Sequence, residues 1–246
     1  MDVDDFLIVY KIDCMDIFTV YLKDLITNTK VTEKIFEFQV LFGYNVIIDS
    51  EHMYISGGNN SFTIFQNFFC RIYIGSFPMI KTETLARMLI GRYNHSMVSI
   101  GNNNLVMMGG FNKNELSICE KYDYSKNKWI LIPDMLIANS NINACCTENR
   151  FIFIFSNKDN NFIQKMDLNS LNEWKRLDFP MYSSFVRKIS ISHEISENQI
   201  LIIFGDSTLF TFYKYKYKSH RLIRSNSKII LNNHNALTVL KAKSKT

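Results

Sequence analysis

The side chains best able to do chemistry are dispersed along this chain. Five histidines (His52, His95, His193, His220 and His234) fall singly, and none stands beside a serine or cysteine in a recognisable nucleophile elbow. Five cysteines (Cys14, Cys70, Cys119, Cys145 and Cys146) include no Cys-x-x-Cys pair and no Cys/His spacing suited to zinc. Each reads as a small buried hydrophobe in a reducing compartment. Acidic residues sit mostly in turns rather than as a paired acid and base. Gly57-Gly58 and Gly109-Gly110 lack the Gly-x-Gly-x-x-Gly or Gly-Lys-Ser context of a phosphate cradle. Their expected role is to turn the backbone out of a crowded strand. No cofactor and no metal is expected, although linear spacing leaves open a site assembled from distant segments.

One stretch has the look of a recognition surface. Tyr213, Tyr215 and Tyr217 alternate with Lys214, Lys216 and Lys218. In a strand the rings face one side and the ammonium groups the other. That suits an outer strand with its tyrosines packed inward, whereas a nucleic-acid platform usually puts rings and cations on one face. Nine Lys and Arg against Asp206 alone lie from Gly205 onward, so the net charge of +5 belongs to the C-terminal sixth. Such an end can attract nucleic acid or anionic lipid, but the solvated-tail reading is preferred. With 47% apolar and 14% aromatic residues, the chain can bury a core and is not disordered. No apolar run nears the roughly 18 residues of a membrane span, and the acidic start at Asp2, Asp4 and Asp5 is unlike a secretory signal. A cytoplasmic protein without a transmembrane segment is expected.

The elements that carry these residues repeat. Apolar runs close on a glycine or a small polar step at 52–58, 105–110, 151–156 and 200–205, with a shorter copy at 6–10. With Tyr10, Ser56, Met108, Phe155 and Phe204 as equivalent ends, the steps are 46, 52, 47 and 49 residues. Five such units fill the chain. The runs are rich in β-branched and aromatic residues, as strands buried on both faces are. A polar turn at 101–104 joins the 105–108 run to a strand over 94–100, and turns at 49–51, 148–149 and 196–198 repeat that antiparallel pair. A third and fourth strand follow, clearest around the turn at 125–128, with Tyr122 before it and Trp129 after it. Trp174 lies 45 residues beyond Trp129, in register with it.

Four-stranded antiparallel units of this period, arranged around an axis, describe a β-propeller, because each sheet covers a face its neighbour would expose. The paired glycines, the Tyr122/Trp129 spacing of seven and Arg92-Tyr93-Asn94-His95-Ser96 at an opening strand resemble the kelch repeat. The likeness is greatest over 92–135 and extends over 44–90 and 141–180. It implies an all-β, kelch-like β-propeller of about five four-stranded antiparallel blades, six if the chain is a fragment. A single domain over 1–246 would have blades at 1–38 plus 229–240, 39–90, 91–138, 139–182 and 183–228. The first unit lacks an opening strand and 234–240 repeats the pattern of 95–100, so the C-terminal strand is expected to close the first blade and remove a free sheet edge.

The kelch resemblance implies a non-enzymatic scaffold that binds a protein or peptide partner through its loops, as an adaptor for a substrate or cytoskeletal client. In that family, partners touch residues just after the paired glycines and those opening each first strand. Carried onto this sequence, those are Asn59, Asn60, Phe111, Asn112, Arg92 and Tyr93, with Asn157 and Ser207 as further equivalents. Arg92 could hold a carboxylate bidentately, or serve as a cap or bridge between blades. Gly57, Gly58, Gly109, Gly110, Tyr122, Trp129 and Trp174 read as residues of the structural repeat, and His95 as a donor or acceptor to nearby backbone. Kelch scaffolds also include copper oxidases and sugar epimerases, so an enzyme with its site at the axis is the alternative; no copper-ligand set stands in the sequence.

Overall fold

The chain's apolar runs pair through their intervening turns into antiparallel sheets. The structure is a computed structural model, and it describes residues 6–10, 16–21, 33–37, 45–48, 52–61, 64–73, 81–101, 104–155, 162–170, 173–178, 188–196, 198–205, 209–219, 221–230 and 236–238. Among them are five four-stranded antiparallel sheets, two short two-stranded ribbons and no α-helix.

The second sheet takes Asn45–Ile48, His52–Ser56, Phe69–Tyr73 and Lys81–Thr84 in chain order. The third takes Ser96–Ser99, Leu105–Met108, Cys119–Asp123 and Lys128–Ile132, and the fourth Asn143–Thr147, Phe151–Phe155, Phe162–Asp167 and Trp174–Asp178. The fifth is built of Lys188–Ser196, Gln199–Gly205, Leu209–Lys216 and Arg221–Ile230. The first sheet joins the two ends of the chain: Ala236–Thr238 lies beside Phe6–Tyr10, followed by Asp16–Tyr21 and Glu33–Glu37. Ile8 pairs with Thr238, Val9 with Leu237 and Tyr10 with Ala236, as the closing-strand expectation required. The opening strands of successive sheets also neighbour one another, from Asn45–Ile48 through Ser96–Ser99, Asn143–Thr147 and Lys188–Ser196 to Ala236–Thr238.

Because successive side chains on a strand point to opposite faces, each interior sheet contributes to two cores. Tyr54, Phe69, Leu85 and Met88 meet Met97, Leu105, Met107, Tyr122 and Trp129 between the second and third sheets. The other face of the third sheet packs Val98, Val106, Met108 and Ile132 on Ile152, Ile154, Met166 and Trp174 of the fourth. Phe153, Phe155 and Ile163 then meet Ile200, Ile202, Tyr215 and Tyr217 of the fifth. The tryptophans occupy matching places. Trp129 Nε1 donates to the Ala86 carbonyl at 2.8 Å and Trp174 Nε1 to the Pro133 carbonyl at 2.9 Å, each clamping the segment that arrives from the preceding sheet. Cys70, Cys119 and Cys145 are buried. Burial pushes the first two thiols up to about 12, so they stay protonated and act as apolar filler. Cys14 lies outside the described residues.

The strand Leu209–Lys216 is the third of its sheet, with Arg221–Ile230 beyond it, and Tyr215 is buried while Lys214 is exposed, the separation expected of an outer strand. One expectation is corrected. His95 bonds across sheets rather than only to local backbone: its Nε2 lies 2.8 Å from Ser56 Oγ.

Candidate functional site

The paired glycines shape one end of the second and third sheets. All four have positive φ, and Gly57 shows why glycine is needed there. At φ +62° an L side chain is strained, and a Cβ would lie 2.4 Å from the Arg92 carbonyl oxygen. Each pair releases the chain into a ribbon. Asn59–Ser61 pairs with Ile64–Phe65, and Phe111–Asn112 with Asn114–Glu115. Gly91 lets the incoming segment press against the first ribbon, since a Cβ there would sit 2.3 Å from the Phe65 carbonyl oxygen.

This backbone brings three rings together from two repeats. Phe65 stacks on Tyr93 with centroids 5.9 Å apart and planes at 3°. Phe111 lies 5.4 Å from Tyr93 and 6.3 Å from Phe65, tilted against both. Tyr93 and Phe111 also exchange backbone bonds of 3.2 and 2.8 Å. All three residues are half-buried, so the cluster is partly covered by the fold and partly exposed to solvent. Aromatic faces in this setting supply large contact area at small entropic cost.

Below them lies a buried polar plug. Arg92 is 0% exposed, and its backbone belongs to the second sheet's ribbon: its N–H donates to Gln66 O, and its carbonyl accepts from Gly58 N. Its guanidinium belongs to the third sheet. It pairs with the Glu120 carboxylate, also 0% exposed, and donates to the carbonyls of Gly109 and Ile118 at 2.8 Å each. Glu120 further accepts from the backbone N–H of Leu89 at 2.7 Å and of Ile90 at 3.2 Å. Burial lowers the Arg92 pKa and the Glu120 charge opposes that shift. His95, beside this plug, is pushed down to about 3 by burial and then by the Arg92 charge, so it is the neutral imidazole that meets Ser56.

The eight residues expected to touch a partner therefore divide. Tyr93 and Phe111 share the open cluster. Arg92 is corrected: fully buried and engaged by Glu120, it presents no cation to the surface and is instead the bridge between sheets. Asn59 is buried and pairs with Phe65 in the ribbon. Asn112 donates through Nδ2 to the Gly91 carbonyl at 2.7 Å, which ties the second ribbon to the segment that enters its own sheet. Asn60 contributes ribbon backbone; Asn157 and Ser207 lie outside the described residues. Phe65 and Glu120 are the residues that sequence reasoning missed. Phe65 occupies the ribbon position held by Glu115 one repeat later, so the repeat gave no signal for it.

Of the tyrosine and lysine strand, Tyr215 and Tyr217 are buried in the core shared with the fourth sheet and so are not presented for stacking. The Tyr217 hydroxyl donates to Glu148 at 2.8 Å, and Lys218 pairs with the same carboxylate at 3.1 Å. Among the described residues, no three or more His, Cys, Asp and Glu side chains converge in a way that could hold a metal ion, and no helix is long and apolar enough to cross a membrane.

Residues 91–136 match the Kelch motif. The match spans the third sheet together with Arg92, Tyr93, Phe111 and Glu120. Among solved structures, the chain is similar to the kelch-type propeller YjhT, with a TM-score of 0.60 and 13% identity. The alignment covers 78% of this chain and 66% of that one, just under two thirds of its length. At this identity the likeness is one of fold. No curated protein matches the chain.

Proposed function

We propose that this kelch-type propeller is a non-enzymatic scaffold that binds a protein or peptide partner at the end of the ring carrying Phe65, Tyr93 and Phe111, as an adaptor for a client protein. The observation that carries this reading is the half-buried cluster itself: three rings from two repeats, held in mutual contact beside the Tyr93–Phe111 backbone bridge and partly exposed. Loops held on rigid sheets are where binding residues gather, and aromatic anchors seated at the centre of a contact contribute most of its energy. In the same reading, the described sheets form one five-bladed ring over 1–246, divided into the units at 1–38 plus 229–240, 39–90, 91–138, 139–182 and 183–228. The buried, protonated thiols of Cys70 and Cys119 suit a reducing compartment such as the cytoplasm.

The test is a photo-crosslinking amino acid placed at Phe111 and, separately, at Leu131, a 63%-exposed residue of the third sheet's outer strand. In cell extract, a discrete crosslinked product is expected from position 111 and not from 131. It should vanish when Tyr93→Ala and Phe65→Ala are added. Equal crosslinking from both positions, or products indifferent to those substitutions, would defeat the assignment.

A further inference from the structure

The opposite end of the second sheet holds a different kind of site. His52, Arg71, Tyr73 and Glu83 line a half-open cavity of about 310 Å³. Strand register puts them on one face, since His52 pairs with Tyr73, Tyr54 with Arg71, and Arg71 with Glu83. The Arg71 side chain is only 13% exposed. Its guanidinium lies 4.7 Å from the centre of the Tyr124 ring, and its Nη1 donates to the Tyr124 hydroxyl at 2.6 Å. The third sheet thus fixes the cation. Its anionic partner is less constrained: the Glu83 carboxylate, bonded to Arg71 Nη2, is 50% exposed on the sheet's outer strand.

The repeat indicates which of these features the ring requires. In the third sheet the cross-strand pair at the equivalent place is Lys121 with Ile130, and in the fourth it is Lys165 with Lys175. Both sheets have the same four-stranded form without a guanidinium and carboxylate there. The Arg71–Glu83 pair is therefore a local addition to the second sheet rather than a condition of propeller packing.

We propose that this cavity binds a small carboxylic acid, with Glu83 as the internal stand-in that the ligand displaces. The guanidinium fork already accepts a carboxylate, which is the anion its planar geometry suits. His52 and Tyr73, with centroids 5.3 Å apart, form a wall for a flat apolar body. The volume falls near the lower end of ligand pockets, roughly 300 Å³, and so admits a compact molecule. In the resting state Glu83 holds the fork, and apparent affinity is reduced by the fraction of molecules in which the fork is vacant.

Benzoate is a suitable probe, titrated against the intact chain with binding followed through the ring resonances of His52 and Tyr73. Glu83→Gln removes the competing anion at an exposed position, and affinity for benzoate should rise about tenfold. Arg71→Gln should abolish binding while circular dichroism still reports the sheet structure. Benzylamine, of similar shape and opposite charge, should leave the resonances unmoved in the native chain. Native-like or weaker benzoate affinity in Glu83→Gln would overturn the proposal, as would benzylamine binding at the same rings. If Arg71→Gln disturbs the fold, the Glu83→Gln comparison decides alone.

Discussion

Where the second sheet meets the third, the connecting segment buries Arg92 against Glu120 and His95 against Ser56. One repeat later Asn139, Gln164, Ile142 and Met108 hold the corresponding places. The correspondence rests on backbone bonds. Gly58 N–H donates to Arg92 O as Gly110 N–H does to Asn139 O, and Arg92 N–H donates to Gln66 O as Asn139 N–H does to Leu116 O. Side chains follow suit: Glu120 accepts from Leu89 N–H and Gln164 accepts from Leu136 N–H, both at 2.7 Å. One joint is charged and the other neutral, on the same scaffold. The repeat is thus specified by backbone bonds, turning glycines and the two clamping tryptophans. The plug between sheets can change its chemistry from an ion pair to amides, and it does so although the buried Gln164 Nε2 has no hydrogen-bond partner among the described residues.

Breaking the charged joint should have the largest effect. Glu120→Gln leaves the Arg92 charge buried without its anion, and the expected loss is about 3–5 kcal/mol in urea unfolding. Arg92→Asn combined with Glu120→Gln imports the amide chemistry of the next joint and should recover more than half of that loss. A double variant no more stable than Glu120→Gln would show that the joints are not interchangeable.

The glycines sharpen the comparison at smaller cost. Gly57→Ala would drive a Cβ into the Arg92 carbonyl oxygen and the hydrogen-bonded His95 ring. Gly109→Ala would meet the Asn139 carbonyl oxygen at 2.6 Å, but its other neighbours are the ends of Met135 and Ile142, which can move. Both positions have positive φ, so each substitution should destabilise by about 1–3 kcal/mol, with Gly57→Ala the worse on thermal unfolding. The reverse order would contradict the view that the charged joint is the more rigid.

Between pH 6.5 and 5 a pH dependence should come from the same joint, since the Asp167 carboxyl, held down to about 2 by Arg150, loses its contribution only at lower pH. His95 titrates at about 3 in the folded chain against an ordinary 6.5, so the unfolded chain binds the proton first. Stability is then complete above pH 6.5 and falls as pH drops towards 3, by at most about 1.4 kcal/mol per unit from this group. His95→Ile combined with Ser56→Met, which copies Ile142 and Met108 of the neutral joint and leaves no buried hydroxyl without its partner, should remove that slope with little change at pH 8. An unchanged slope between pH 6.5 and 5 would assign it to other groups.

Much of the fold was legible because propeller packing writes itself at regular intervals. Apolar second strands, polar hairpin turns and tryptophans 45 residues apart are local signals, and the sheets follow from them. The candidate site was legible only in part. Tyr93 and Phe111 lie where the kelch resemblance directed attention, but their neighbour Phe65 is brought in by packing between repeats, which no pattern within one repeat encodes. Arg92 shows the converse. Its position was right and its exposure wrong, because whether a guanidinium faces solvent or a buried carboxylate depends on Glu120, 28 residues away and unremarkable in a strand of mixed polarity.

The ring itself is tested most directly where the chain's two ends meet. Val9 and Leu237 face each other in the first sheet, so cysteines at both positions should form an intramolecular disulfide under mild oxidation, identified by peptide mapping. The cross-linked chain should melt at a higher temperature than its reduced form. Cysteines that stay reduced in the folded protein, or that link only between molecules, would contradict closure by the C-terminal strand.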